Sequence, residues 1–255
     1  RKIGLPEQTL VPAVGHLYVL RRKVFKPPDI FSSAPTNLRK CGFYIGGGNP
    51  IIRGNTSSYN SIGGLIADIG GVFSDNTLTN NIREALLVSG TIPATTNTIA
   101  TANGVNGIAL QSIPSGFSFL SGLPYIIEGQ PILSSGSYTF EAGAVLKFKS
   151  SSAGLTFAVP VNITGNGTDP IVFTAYTDDA YGGDTNNDGA CALEDASSTA
   201  ACPYAGSWRG LKFTAGADTS SLDNVIVRYG GSHSTTAGIK ADGASLAIQN
   251  SVIEK

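Results

Sequence analysis

Asp184, Asn186 and Asp188 open an acid-rich stretch that runs to Cys202, in a chain otherwise rich in Val, Ile, Gly, Ser and Thr. With Asp184 as position 1, side-chain oxygens fall at positions 1, 3, 5 and 12 (Asp184, Asn186, Asp188, Asp195). Gly189 stands at position 6, and Ala190, which offers a backbone carbonyl, at 7. That is the ligand order of a calcium loop, in which a hard cation gathers about six to eight oxygens and the glycine permits a sharp turn. Calcium is the expected cofactor, set against the plainer reading of a solvated acidic insertion. Asp178 and Asp179 lie just upstream and could add ligands. The loop interrupts the strand pattern between Phe173 and Trp208, where charged oxygens need a cation to pack closely, so a structural ion fits better than a catalytic one.

The competing chemistry is polysaccharide cleavage. A hydrolase needs two carboxyl groups flanking the bond. A calcium-dependent lyase needs a metal on the sugar acid and a base. Asp178 with Asp179 is the adjacent pair that suits this chemistry, and Arg209 or Lys212 in "WRGLKF" could act as base. On a strand, however, neighbouring residues point to opposite faces, so one Asp would not assist the other. His16 and His233 lie in unrelated contexts and form no zinc-type cluster. Trp208 reads as a core or capping residue before it reads as a sugar platform. Asn55, Asn162 and Asn166 begin N-x-[ST] sequons, which come cheaply in a chain rich in Ser and Thr.

These residues must be held by short strands. With 255 residues and 41% hydrophobic content the chain can bury a substantial core. Low charge, 32 glycines and many Ser, Thr and Asn favour strands and turns over helices. "GNT", "DNT" and "TNT" place Asn55, Asn76 and Asn97 at steps of twenty-one, with Asn60 and Asn81 in the same register. Tyr44 and Ile45, Leu65 and Ile66, Leu86 and Leu87, and then Ile108 step with them. A unit this short cannot bury its own apolar face, so stacked coils are expected, each strand pairing with its equivalent one coil on and the asparagines forming a ladder. An antiparallel β-sandwich would need hairpin turns about every 8 to 12 residues, and the recurring Asn-Thr pair argues against it. Later strands are expected at Tyr125 to Ile127, Tyr138 to Phe140, Val145 to Phe148, Leu155 to Phe157 and Ile171 to Phe173, with Ser221 and Leu222 answering Ser245 and Leu246.

The expected fold is therefore all-β, a right-handed parallel β-helix over 36–255 with an acidic calcium-loop insertion at 178–203. Residues 1–35 fall outside the repeat and read as a basic N-terminal arm or cap. Eight of the 17 Lys and Arg lie in the first forty residues (Arg1, Lys2, Arg21, Arg22, Lys23, Lys26, Arg39, Lys40), without the interleaved aromatics of a nucleic-acid surface. No nucleic-acid partner is expected. No apolar run approaches the roughly 18 residues of a membrane span. The chain opens with Arg and shows no signal-peptide pattern, which reads as a processed or excised piece. Cys191 and Cys202 bracket the acidic loop and could close it as a disulfide, while Cys41 reads as a small buried hydrophobe. That weighs toward an oxidising location.

The series "GLPYIIEG", "FEAGAVLKF", "ITGNGTDPIVFTAYTDD", "GGDTNNDG", "GSWRGLKF" and "SLDNVIVRYGG" resembles large secreted bacterial right-handed parallel β-helix proteins over roughly residues 105 to 255. Asp in place of Glu at position 12 resembles dockerin-type calcium loops. The resemblance implies a fold shared by adhesins, surface layers, tail spikes and polysaccharide-active enzymes, and no single activity. The expectation for function is a non-catalytic structural or adhesive protein, secreted or on the bacterial cell surface. Its expected partners are further copies of itself, joined through open coil ends or the arm into filaments, and a polysaccharide. The alternative is a polysaccharide lyase or hydrolase using Asp178, Asp179, Arg209 and Lys212.

Overall fold

A computed structural model of the chain describes residues 17–18, 41–69, 72–74, 76–81, 85–89, 99–100, 107–110, 112–186, 188–189, 202–232 and 237–254. They are all-β apart from one short 3-10 turn, Ala215–Ala217. Among them no helix is long and apolar enough to cross a membrane.

The largest sheet has ten strands. In order they are Leu17–Tyr18, Cys41–Gly48, Ile62–Ile69, Leu86–Ser89, Ile108–Leu110, Tyr125–Ile127, Val145–Phe148, Ile171–Ala175, Val225–Arg228 and Val252–Glu254. Every pairing is parallel except the first, where Leu17 and Tyr18 run antiparallel to Ile45 and Tyr44. The segments between these strands form further parallel sheets in the same succession. Leu155–Phe157, Leu211–Thr214 and Ile239–Asp242 follow Ile132–Leu133 in a four-stranded sheet, and Asn162–Thr164, Ser220–Asp223 and Leu246–Gln249 form a three-stranded one. Parallel pairing of strands this close in sequence requires a crossover, supplied here by the short strands and turns of each repeat.

Register explains the core. Phe43, Gly64, Leu86, Ile108, Tyr125, Leu146, Phe173, Val227 and Ile253 lie opposite one another in turn across the large sheet. From Leu86 to Val227 all of them are buried in one core. Aromatic rings stack along it, Phe119 on Phe140 at 4.7 Å and Phe157 on Phe213 at 4.6 Å between centroids. Each fully buried ring or aliphatic side chain contributes roughly 1.5 to 3 kcal/mol.

The period is less regular than the sequence implies. Leu65 lies opposite Leu87, not Leu86, and Asn76 opposite Ile99, so the step lengthens beyond twenty-one in the third repeat. A one-residue slip would move a strand's side chains to the other face, and here the buried inward positions decide: Leu86 and Val88 keep the core face while Leu87 takes the opposite one. Near the other end, Ser220 rather than Ser221 meets the second "SL" pair, and Leu222 faces Ile248. Register there follows the asparagine turns. Asn224 and Asn250 both adopt left-handed backbone (φ 52° and 47°), a conformation asparagine tolerates, and they bring the flanking strands into line.

A candidate metal-binding strap

On the face of the large sheet away from the core, Leu87, Ala109, Ile126, Lys147 and Thr174 lie opposite one another across successive strands. The row passes from apolar to polar, yet all five side chains are buried. The segment that follows Ile171–Ala175 returns across this face and covers its polar end. Tyr176 and Thr185 close the base of that loop reciprocally: Tyr176 Oη donates to Thr185 O, and Thr185 Oγ1 to Tyr176 O, each at 3.0 Å. Lys147 Nζ donates to Gly183 O at 2.5 Å and to Thr185 Oγ1 at 3.1 Å. Gly182 and Gly183 both have positive φ (71° and 72°), and a Cβ at Gly182 would sit 3.0 Å from Pro124. Glycine alone lets the strap turn this close to the sheet.

Asp178 is the second fastening. Its Oδ2 accepts from Thr174 Oγ1 at 2.5 Å, its Oδ1 accepts from Ala180 N at 3.1 Å, and Arg228 Nη1 lies 3.3 Å from Oδ2. Arg228 continues to Glu254, its Nε 2.7 Å from Oε1, and packs over the rings of Tyr181 and Tyr229. Burial lowers the Lys147 pKa from its ordinary value to about 8, against the opposing pull of Asp178, Asp179 and Asp184.

The third element is acidic. Carboxylate oxygens of Asp179, Asp184 and Asp188 all lie within 4.8 Å of one another. Asp184 accepts from Gly189 N at 3.0 Å and Asp188 N at 3.3 Å, and Asn186 Nδ2 donates to Asp188 Oδ2 at 2.6 Å. Gly189, at position 6, has φ 84°. Asn186 Oδ1 is buried without a hydrogen-bond partner. Partial burial and, after it, the neighbouring Asp184 push the Asp188 carboxyl above its ordinary range. A divalent cation would reverse that repulsion. The donor set is all oxygen, the chemistry a hard cation takes. Ala190, Cys191 and Asp195 lie outside the described residues. Cys202 is buried and disulfide-bonded, and Cys41 is a free cysteine.

Asp178 and Asp179 sit in a turn, not on a strand, and diverge: one joins the Arg228 network and the other the Asp184 cluster. Arg209 and Lys212 line a separate groove over the four-stranded sheet, so the four residues of the cleavage alternative are not brought into one groove. Trp208 is fully buried, stacked on Phe148 at 3.9 Å, with Nε1 donating to Arg228 O at 2.7 Å. His16 and His233 lie outside the described residues.

Of the asparagines, Asn55 donates through N and Nδ2 to Asn76 Oδ1, both at 3.0 Å, and Asn76 Nδ2 donates to Ile52 O at 2.9 Å. Asn60 N donates to Asn81 Oδ1 at 3.1 Å in a second such step. Asn97 lies outside the described residues, and the residue opposite Asn76 is Ile99. The Asn162 side chain accepts from Ser221 Oγ at 3.0 Å, and Asn166 Oδ1 accepts from Thr168 N and Asp169 N, closing its own turn. Lys147 and Arg228 carried no signal in the sequence: Lys147, two residues before Lys149 in "AVLKFKS", reads as an outward strand residue. Comparison with protein-family models, curated proteins and solved structures finds no match to this chain.

Proposed function

We propose that the chain is a right-handed parallel β-helix acting as a non-catalytic structural or adhesive component outside the bacterial cell, secreted or on its surface, with its acidic strap held by calcium. One observation carries the non-catalytic reading. Asp178, the most deeply buried acid of the strap, is spent on Thr174, Ala180 and Arg228 and has no oxygen left over for acid-base work on a substrate. The ligands are Asp184, Asn186, Asp188 and Asp195 with the Ala190 carbonyl, and Asp179 beside them. Cys191 pairs with Cys202 and ties the far end of the loop.

Self-association is part of this reading. Large apolar side chains stand exposed along the chain, Ile51, Tyr59 and Ile132 among them, and exposed apolar surface of this kind favours contact with a second copy. Electron microscopy of the purified chain with calcium is expected to show end-to-end filaments that shorten on chelation. Isolated rods in both conditions would contradict assembly. Release of unsaturated or reducing uronates from pectin or alginate would establish cleavage instead.

A further inference from the structure

A groove of about 450 Å³ crosses the outer face of the four-stranded sheet, lined among others by Gln130, Thr156, Arg209, Lys212, Thr214 and Lys240. Register places its charges. Leu155, Leu211 and Ile239 face the core side, and between them and the next inward row Thr156, Lys212 and Lys240 lie opposite one another on adjacent strands. Adjacent strands are about 4.8 Å apart, and like charges directly opposite destabilise a sheet. Lys212 is offset by Asp242 at 3.0 Å, an exposed pair worth little in water. Lys240 adds its field to Asp242, and among the described residues no ion pair engages it. Arg209 is the odd member. Its Nε is buried without a hydrogen-bond partner, and among the described residues no ion pair engages its guanidinium.

We propose that this groove binds an acidic polysaccharide through its carboxylate groups. Lys212 and Lys240 on adjacent strands, Arg209 just before the first of them, and the single carboxylate of Asp242 leave a net positive groove that matches a ligand carrying repeated negative charge along its length. The Arg209 guanidinium in the groove wall has the planar fork that matches a carboxylate. Thr156, Thr214 and Gln130 offer hydroxyl and amide partners for sugar hydroxyls. No aromatic ring lines the groove, which argues against the stacking that nucleic-acid binding uses. The inference deepens the adhesive reading and rests on it for the choice of polymer; it does not depend on calcium or on filaments.

The test is titration of oligogalacturonate onto the full chain in calcium-free sodium buffer, so that the Asp184 loop takes no part, with neutral dextran and duplex DNA alongside. The Arg209→Gln, Lys240→Gln double variant is expected to bind at least about tenfold more weakly, the loss of one or two charge-assisted hydrogen bonds. Asp242→Asn, which frees Lys212, is expected to bind more tightly, an outcome misfolding cannot imitate. Unchanged binding by the double variant, equal binding of dextran, or tighter binding of DNA than of oligogalacturonate would each overturn the proposal. Filament formation and calcium binding, measured separately, would then still stand or fall on their own.

Discussion

Trp208→Ala is expected to destabilise the protein by about 3 to 5 kcal/mol, the range for removing a fully buried aromatic side chain. Two losses add. The indole is fully buried and lies flat on Phe148, 3.9 Å between centroids with 3° between planes, so truncation opens a cavity beside a second ring. Its Nε1 also satisfies Arg228 O, at 2.7 Å. Arg228 in turn anchors Asp178, so the lost bond loosens the strap from beneath. Trp208→Phe keeps a ring on Phe148 but not the hydrogen bond, and is expected to cost about 1 to 3 kcal/mol. Urea unfolding followed by circular dichroism measures both, since Trp208 is the only tryptophan and fluorescence would vanish with it. A Trp208→Ala loss below about 1 kcal/mol would show that the indole is not packed as described.

Lys147 makes stability depend on alkaline pH. Its folded-state pKa is about 8, below the ordinary 10.5, because burial disfavours the charge. A base with a depressed folded pKa penalises folding while it is charged in both states. The penalty is complete below pH 8, and it is relieved between about pH 8 and 10.5, where the unfolded chain binds the proton and the folded one does not. The shift corresponds to about 3 kcal/mol. Wild type is therefore expected to gain about 3 kcal/mol relative to Lys147→Met as pH rises from 7 to 10.5, the variant removing the contributions of Tyr and Cys titration from the comparison. Denaturant titrations of both proteins in calcium-free buffer measure the difference. A flat difference across that range would place Lys147 in solvent and unfasten the strap from the sheet.

The strands and their parallel stacking were legible because most inward positions carry an apolar side chain and the turns are rich in Gly, Asn and Ser, signals that are local. Tyr125–Ile127, Val145–Phe148 and Leu155–Phe157 fall where the alternation places them. Register was legible only while the repeat stayed constant. Extra residues in the third repeat put Ile99 rather than Asn97 opposite Asn76, and the left-handed Asn224 and Asn250, not the Ser-Leu pairs, set the pairing at the other end. The acidic ligand order was visible as spacing. Its fastenings were not: Lys147 reaches Gly183 and Thr185, and Arg228 reaches Asp178, across 36 to 50 residues of chain. No local pattern marks a sheet face that a distant loop will cover.

A strap braced by calcium is the centre of the proposed function. Its most direct test is calorimetric titration of calcium onto the chain beside the Asp184→Ala variant, with a thermal melt of each at the end point. A calcium-held strap gives saturable binding at one site in the wild type, none in the variant, and a wild-type stabilisation of about 2.7 kcal/mol when calcium stands at 100 times its dissociation constant. No saturable heat, or the same binding and the same melt in Asp184→Ala, would contradict it and leave the acidic loop as a solvated insertion fastened by Lys147 and Arg228 alone.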